Sequence, residues 1–331
     1  MSPRSNLLSM DVSKVDLWLQ DTLKSLANNE CGAMFQEHLD TGGKKIRAKI
    51  TLQMGQALGL SERQTLPWAA AVEVLHNATL IHDDIQDGDE VRRSQPTTWA
   101  KYGIPQAINV GDLGLMLPFA MLQQIPTSDA HRWALSQCLS QHAIATVCGQ
   151  SFEMNLLSSL QLDMDSYLQA VRGKTGAFFA LPIEGLTILA DWNEVDRQEI
   201  ASVFTQLGTL FQIQDDILDC FGNKGRQLGA DLCEGKVSIL VVHHLRSAPE
   251  QSLKMIQTLR TAREEIAQTT VADIIADFQS SGALQASLTD IQALYAEITS
   301  APILQSHPGL LQIVDALIDR MLTPIQHLFQ D

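Results

Sequence analysis

Two stretches hold the residues best suited to chemistry: Asp83-Asp84-Ile85-Gln86-Asp87 and Asp215-Asp216-Ile217-Leu218-Asp219. In each, the outer carboxylates stand four residues apart, so on a helix they share one face, where like charges repel. A cation relieves that repulsion, and two such sets facing each other would make a cage of oxygen ligands. Such a cage suits Mg²⁺, a hard ion that keeps waters and shares its remaining positions with substrate phosphates. An EF-hand reading of Asp83, Asp87 and Gly88 fails, because Ser94 stands where the bidentate Glu belongs.

If the ligands are diphosphates, a chain with formal net charge −15 must supply positive charge locally. Basic residues do cluster: Lys44, Lys45, Arg47 and Lys49; Arg92 and Arg93; Arg172 and Lys174; Lys224, Arg226 and Lys236. Each cluster by itself reads as solvated surface, but all lie close in sequence to an aspartate motif or to a Gly-rich turn.

These groups need elements to position them. Long apolar segments lead into both motifs: one runs from Trp68 to the first, with a start signal at Thr65 and Pro67, and the other is Val195–Asp219. Further helical patterns cover residues 5–28, the run after Gly42-Gly43 to about Leu58, Ala107–Gln124, His131–Leu157 and Asp165–Ile188. Others follow at Ser238–Leu245, Gln251–Ala267, Val271–Gln279, Gly282–Thr299 and Gly309–Leu328. Asp89–Pro105 reads as an ordered loop and Gly222–Gly235 as a mobile one. Alternating strand patterns are nearly absent. The expected fold class is therefore all-α: long, mostly antiparallel helices around a central cavity, with residues 1–331 forming a single domain.

Composition excludes other classes. Hydrophobic residues make up 45% and charged residues 18%, as in a globular chain. The acidic balance leaves no basic stripe for nucleic acid. Cys31, Cys138, Cys148, Cys220 and Cys233 match neither a disulfide framework nor a zinc pattern, so free thiols and a cytoplasmic location are expected. No signal peptide or membrane span is expected; the richest apolar run, Gly176–Ala190, carries Pro182 and Glu184 and reads as a buried helix.

Taken together, four elements occur in fixed order: Gly42-Gly43-Lys44-Lys45-Ile46-Arg47, the first aspartate motif, the second, and Asp231-Leu232-Cys233-Glu234-Gly235-Lys236. Over roughly residues 40–240 the chain resembles a trans-isoprenyl diphosphate synthase of the polyprenyl synthetase family. The resemblance implies the isoprenoid synthase fold and a homodimer. It also implies Mg²⁺-assisted head-to-tail condensation of isopentenyl diphosphate with an allylic diphosphate (dimethylallyl, geranyl or farnesyl).

The resemblance also assigns residues. It puts Lys44, Arg47, His76 and Arg93 on isopentenyl diphosphate and Arg92 on the allylic diphosphate. Lys174 binds the allylic diphosphate, while the polar oxygens of the Lys174-Thr175 pair face the carbocation. Gln212 and Lys236 are further substrate contacts. Metal ligands are Asp83, Asp84, Asp87, Asp215 and Asp219, with Asp83 and Asp87 the more direct of the first motif. Departures from the family pattern are Lys45 for Arg, Ala48 for Pro, Arg226 for a nearby Lys and Glu153 for Asp.

The resemblance further makes side chains before Asp83 the floor of the tail channel: Thr79 and Ala78, then Leu75 and Val74. A helical turn rises about 5.4 Å, close to one isoprene unit. Small residues at 78 and 79 predict a product longer than farnesyl, namely geranylgeranyl diphosphate. Other readings are a farnesyl or longer polyprenyl diphosphate synthase, a class I terpene cyclase, and a non-catalytic subunit regulating a partner synthase.

Overall fold

A computed structural model describes residues 11–158, 162–222, 227–262 and 265–329. The beginning of the expected helix 5–28, and Lys224 and Arg226, lie outside the described residues. Helices follow one another as α1 (Ser13–Leu26), α2 (Glu30–Asp40), α3 (Ile46–Ala57) and α4 (Glu62–Asp87). A short antiparallel hairpin, β1 (Val91–Arg92) with β2 (Gln95–Pro96), leads to α5 (Thr98–Tyr102), α6 (Ile104–Met121) and α7 (Asp129–Leu156). Then come α8 (Met164–Val171), α9 (Ala177–Leu189), α10 (Glu194–Phe221), α11 (Ala230–Cys233), α12 (Ile239–Ser247) and α13 (Ser252–Leu259). The chain continues through α14 (Gln268–Ser280), α15 (Ala283–Ser300), α16 (Pro302–Gln305) and α17 (Pro308–Leu322). It groups into two compact units, Met1–Ala143 with Leu181–Ala201, and Ile144–Ala180 with Ser202–Asp331.

The all-α expectation holds, and among the described residues no helix is long and apolar enough to cross a membrane. Several boundaries differ from the expectation for identifiable reasons. Helix α4 starts at Glu62, not at Thr65 or Pro67, because the Gln64 side chain folds back to accept from the Ser61 amide and hydroxyl, as in a capping box. The segment 89–105 is not simply a loop, since it contains the hairpin and α5. Residues 165–188 are helical throughout, as expected, but a wide π turn, Arg172–Gly176, joins α8 to α9. Helix α11 stands within the loop expected at 222–235, and α2, capped by the Asn29 side chain on Gly32, was not anticipated at all.

In the first unit, α4 is the central element. Trp68 to Val72, Val74 and Leu75 are all buried, so this part of the helix is apolar around its circumference, as a core helix must be. The Trp68 indole N–H donates to the Pro182 carbonyl at 3.0 Å, and Gly185 leaves room for the ring, which seats α9 on α4. In the second unit, α12 packs on α15 and α8, burying Ile239, Leu240, Val241 and Val242.

Candidate active site

The first motif ends α4. Gly88, at φ +69°, closes the helix with the left-handed residue such an end requires. Asp83 and Asp87 are half-buried on one face, while Asp84 turns away and is 1% exposed. The Arg92 Nε–H donates to Asp84 Oδ1 at 2.6 Å, and Asp84 Oδ2 is buried without a hydrogen-bond partner. Burial pushes the Asp84 carboxyl up to about 6, against the opposing pull of Arg92.

The hairpin aims two arginines. Arg93 and Ser94 form its turn with φ +54° and +63°, the left-handed pair that matches strand twist in a two-residue connection. Arg92 thereby meets Asp84, while an Arg93 Nη1–H donates to the Gly42 carbonyl. A side chain at Gly43 would fall 2.7 Å from the Arg93 guanidinium carbon, so glycine is needed for that approach. Arg47, in the first turn of α3, lies with its Nη1 3.1 Å from His76 Nε2. Burial, with Arg47 next, pushes the imidazole well below its usual range, so it stays neutral and accepts from the guanidinium. Burial likewise lowers Arg47 to about 10, which leaves it cationic at neutral pH. Lys44 is exposed on the turn; Lys45 is an ion-pair partner of Asp16 on α1.

In the second unit, the second motif sits near the end of α10 and is held differently. Asp216 is 5% exposed, and its Oδ2 accepts from the Tyr167 hydroxyl and from the Ile239 amide, both at 2.8 Å. Its Oδ1 accepts from Gln212 Nε2 at 2.9 Å, and Gln212 Oε1 in turn accepts from the Thr175 hydroxyl at 2.8 Å. Burial pushes Asp216 up to about 7 despite these donors, and the Tyr167 hydroxyl well above its usual range. Asp219 is also buried and accepts from the Asp231 amide at 3.1 Å, whereas Asp215 is half-buried.

Thr175 and Lys174 ride on the π turn, which is pressed between two helices of this unit. A side chain at Gly149 of α7 would fall 2.6 Å from the Gly173 carbonyl carbon, and one at Gly208 of α10 would fall 2.7 Å from the Gly176 Cα. These glycines let backbones touch where the widened turn exposes Lys174 and Thr175 to their partners. Lys174 Nζ lies 2.5 Å from Glu153 Oε2, and Lys236 Nζ 2.8 Å from Glu234 Oε2.

Within the first unit, then, the structure brings Arg47, His76, Arg92 and Arg93 about the Gly42-Gly43 turn and the end of α4. Within the second it links Thr175, Gln212 and the second motif. The floor positions divide. Ala78 is sealed in the α4–α6 seam, where a side chain at Gly114 would fall 2.7 Å from its Cβ and 2.6 Å from the Phe35 ring. Leu75 and Val74 are buried, and Thr79 is half-buried with its hydroxyl donating to the His76 carbonyl at 2.8 Å. Sequence reasoning missed the Tyr167–Asp216 bond, which spans 49 positions and leaves no local signal.

The residues fit the metal the motifs imply. Their aspartates offer carboxylate oxygens, and neither α4 nor α10 carries a basic residue in its last turn. The negative ends of both helix dipoles thus reinforce the aspartates. A different cluster, Cys138, His142 and Glu184, holds its ligand atoms within 4.8 Å of one another. There His142 Nε2 and Glu184 Oε2 already share a 2.7 Å hydrogen bond, and burial pushes the Cys138 thiol far up, so it stays protonated and closed as packing.

The polyprenyl synthetase family model matches residues 28–276, more of the chain than the motifs alone span. A short chain isoprenyl diphosphate synthase of Methanocaldococcus jannaschii is 36% identical over 221 residues, 66% of this chain and 67% of that protein. A geranylfarnesyl diphosphate synthase of Aeropyrum pernix is 32% identical over 285 residues, 82% of this chain and 86% of that protein. The crystal structure of a geranylgeranyl pyrophosphate synthetase from Pyrococcus horikoshii has a TM-score of 0.83 at 22% identity, covering 96% of this chain and 98% of the other, and shows the shared fold. With this helical fold and these motifs, the chain belongs to the polyprenyl synthetase family.

Proposed function

We propose that this prenyltransferase joins isopentenyl diphosphate head to tail to an allylic diphosphate, giving geranylgeranyl diphosphate. The observation that carries this reading is the gathering of Arg47, His76 and Arg93 about the Gly42-Gly43 turn in a protein of net charge −15. Lys44, Arg47, His76 and Arg93 bind the isopentenyl diphosphate, Arg as a planar fork and Lys as a point charge. Arg92, Lys174 and Lys236 bind the allylic diphosphate, the polar oxygens of the Lys174-Thr175 pair face the developing carbocation, and Gln212 is a further substrate contact. Asp83 and Asp87, with Asp215 and Asp219, hold Mg²⁺, while Asp84, buried against Arg92, fixes that arginine instead of the metal. When bound, Mg²⁺ supplies Lewis-acid stabilisation of the charge that builds on the departing diphosphate. The aspartates are ligands, not acids or bases, and the proton lost after attack goes to the released diphosphate.

For product length, relatives named geranylgeranyl and geranylfarnesyl diphosphate synthases support a product beyond farnesyl. Thr79 stands one turn before Asp83 on its face, so Thr79→Phe is expected to shorten the product; an unchanged distribution would remove Thr79 from the floor. The same change at Ala78 overpacks the seam against Gly114 and Phe35 as well. A homodimer in the cytoplasm completes the proposal, supported by exposed Ile104, Ile108 and Met116 on α6 and by free cysteines. The test is mass analysis of products made by the purified chain from isopentenyl diphosphate with each primer, with and without Mg²⁺. Geranylgeranyl diphosphate formed only with the metal is expected. No incorporation by the chain alone would favour a regulatory subunit.

A further inference from the structure

Helix α4 carries one carboxylate within its apolar stretch. Glu73 is 5% exposed, and its neighbours from Trp68 to Leu75 are otherwise apolar and buried. An ionised carboxylate is costly in such a place unless charge and hydrogen bonds compensate it. One hydrogen bond comes from Asn77, a turn further on, whose Nδ2 lies 3.3 Å from Glu73 Oε1 and 2.8 Å from the Glu73 carbonyl. The other oxygen, Oε2, is buried without a hydrogen-bond partner. Glu73 and Asn77 line a cavity of about 210 Å³ that also touches Gly42 and Lys45 of the glycine turn.

The compensating charge comes from the cations of that turn. Burial pushes the Glu73 carboxyl above its usual range, Arg47, Asn77 and Lys45 oppose that push, and Glu73 acts in return on Arg47 and on Arg93. Glu73 is therefore a counter-charge shared by three cations that repel one another around the turn, beside Asp16 on Lys45 and Asp84 near Arg93. We propose that Glu73, clamped by Asn77, is a positioning residue that holds Arg47, Arg93 and Lys45 in the geometry that receives the isopentenyl diphosphate. It does not touch the substrate. This inference rests on the proposed role of the Gly42–Arg47 turn. It makes a prediction opposite to simple repulsion: a negative charge near an anion site should weaken binding, yet removing this one should weaken binding further.

The experiment compares Glu73→Gln, which keeps shape but not charge, with Glu73→Asp, which keeps charge but not length, and includes Arg47→Gln as a control. Steady-state kinetics with isopentenyl diphosphate and farnesyl diphosphate give each KM, and thermal melts report folding. Glu73→Gln is expected to raise KM for isopentenyl diphosphate about tenfold, the scale of one lost charged interaction, and to move KM for the allylic substrate less than about twofold. Glu73→Asp should restore part of the loss. An unchanged or lowered KM in Glu73→Gln, or a loss in Asp equal to that in Gln with a matching fall in melting temperature, would reduce Glu73 to a packing residue. If Arg47→Gln itself leaves that KM unchanged, the reading of the turn is what fails.

Discussion

The two aspartate motifs share a pattern but not an anchoring scheme. In the first, Asp84 leans on one cation, Arg92, and keeps an oxygen without a partner. In the second, Asp216 accepts from three donors on three different segments, Tyr167, Gln212 and the Ile239 amide. The middle aspartate of each is buried, Asp83, Asp87 and Asp215 are half-buried, and Asp219 is buried like Asp216. Burial thus separates the anchoring carboxylate from its neighbours in the first motif, while in the second Asp216 and Asp219 are both buried and both accept backbone hydrogen bonds. Only in the first is the anchor a cation that the proposed chemistry also uses, so the first motif should respond mainly in activity and the second also in stability.

Substitutions in both motifs and around them probe that contrast, from the largest effect to the smallest. Asp83→Ala and Asp215→Ala are each expected to lower kcat about a thousandfold under saturating Mg²⁺, the scale of losing electrostatic stabilisation of a leaving group, with little change in melting temperature. Equal losses on replacing only buried anchors, at unchanged stability, would erase the distinction. Asp216→Ala strands three buried donors and should cost about 3 kcal/mol in urea unfolding, whereas Asp84→Ala strands one and should cost about 1 kcal/mol. Similar values would mean that the two anchors are equivalent.

A third prediction belongs to the first unit alone. His38 is 5% exposed beside Arg92 and Arg93, and burial, followed by those charges, lowers it to about 4. Its folded value lies below the unfolded value near 6.5, so the stability it contributes is present above pH 6.5. That stability is lost as pH falls from 6.5 toward 4, because the unfolded chain takes up the proton first. The loss should reach about 2 kcal/mol at pH 5, and unfolding of His38→Gln should lack that slope. Tyr167→Phe should likewise cost about 1 kcal/mol, since it removes a single donor from Asp216. A larger loss would place Tyr167 at the centre of the network that reaches Thr175.

Much of this was legible beforehand. The breaker-free run from Trp68 to Asp83 and the run into Asp215 are helices because nothing in them interrupts the ladder and their apolar residues bury. The start of α4 was misplaced because Pro67 looks like a first-turn residue, while the capping box at Ser61 and Gln64 sets the true start one turn earlier. Helix α2 escaped because its buried large apolar side chains, Phe35 and Leu39, are too few to make a periodic signal. The Arg93-Ser94 turn was invisible because neither residue advertises a left-handed backbone.

The sequence by itself determined the donor types, their four-residue spacing and the helices that carry them, because these follow from local periodicity and residue chemistry. Only tertiary structure decided which carboxylate of each motif is an anchor. That choice depends on Arg92 across a hairpin, on Tyr167 and Ile239 from other segments, and on how far water is excluded, none of which local spacing encodes.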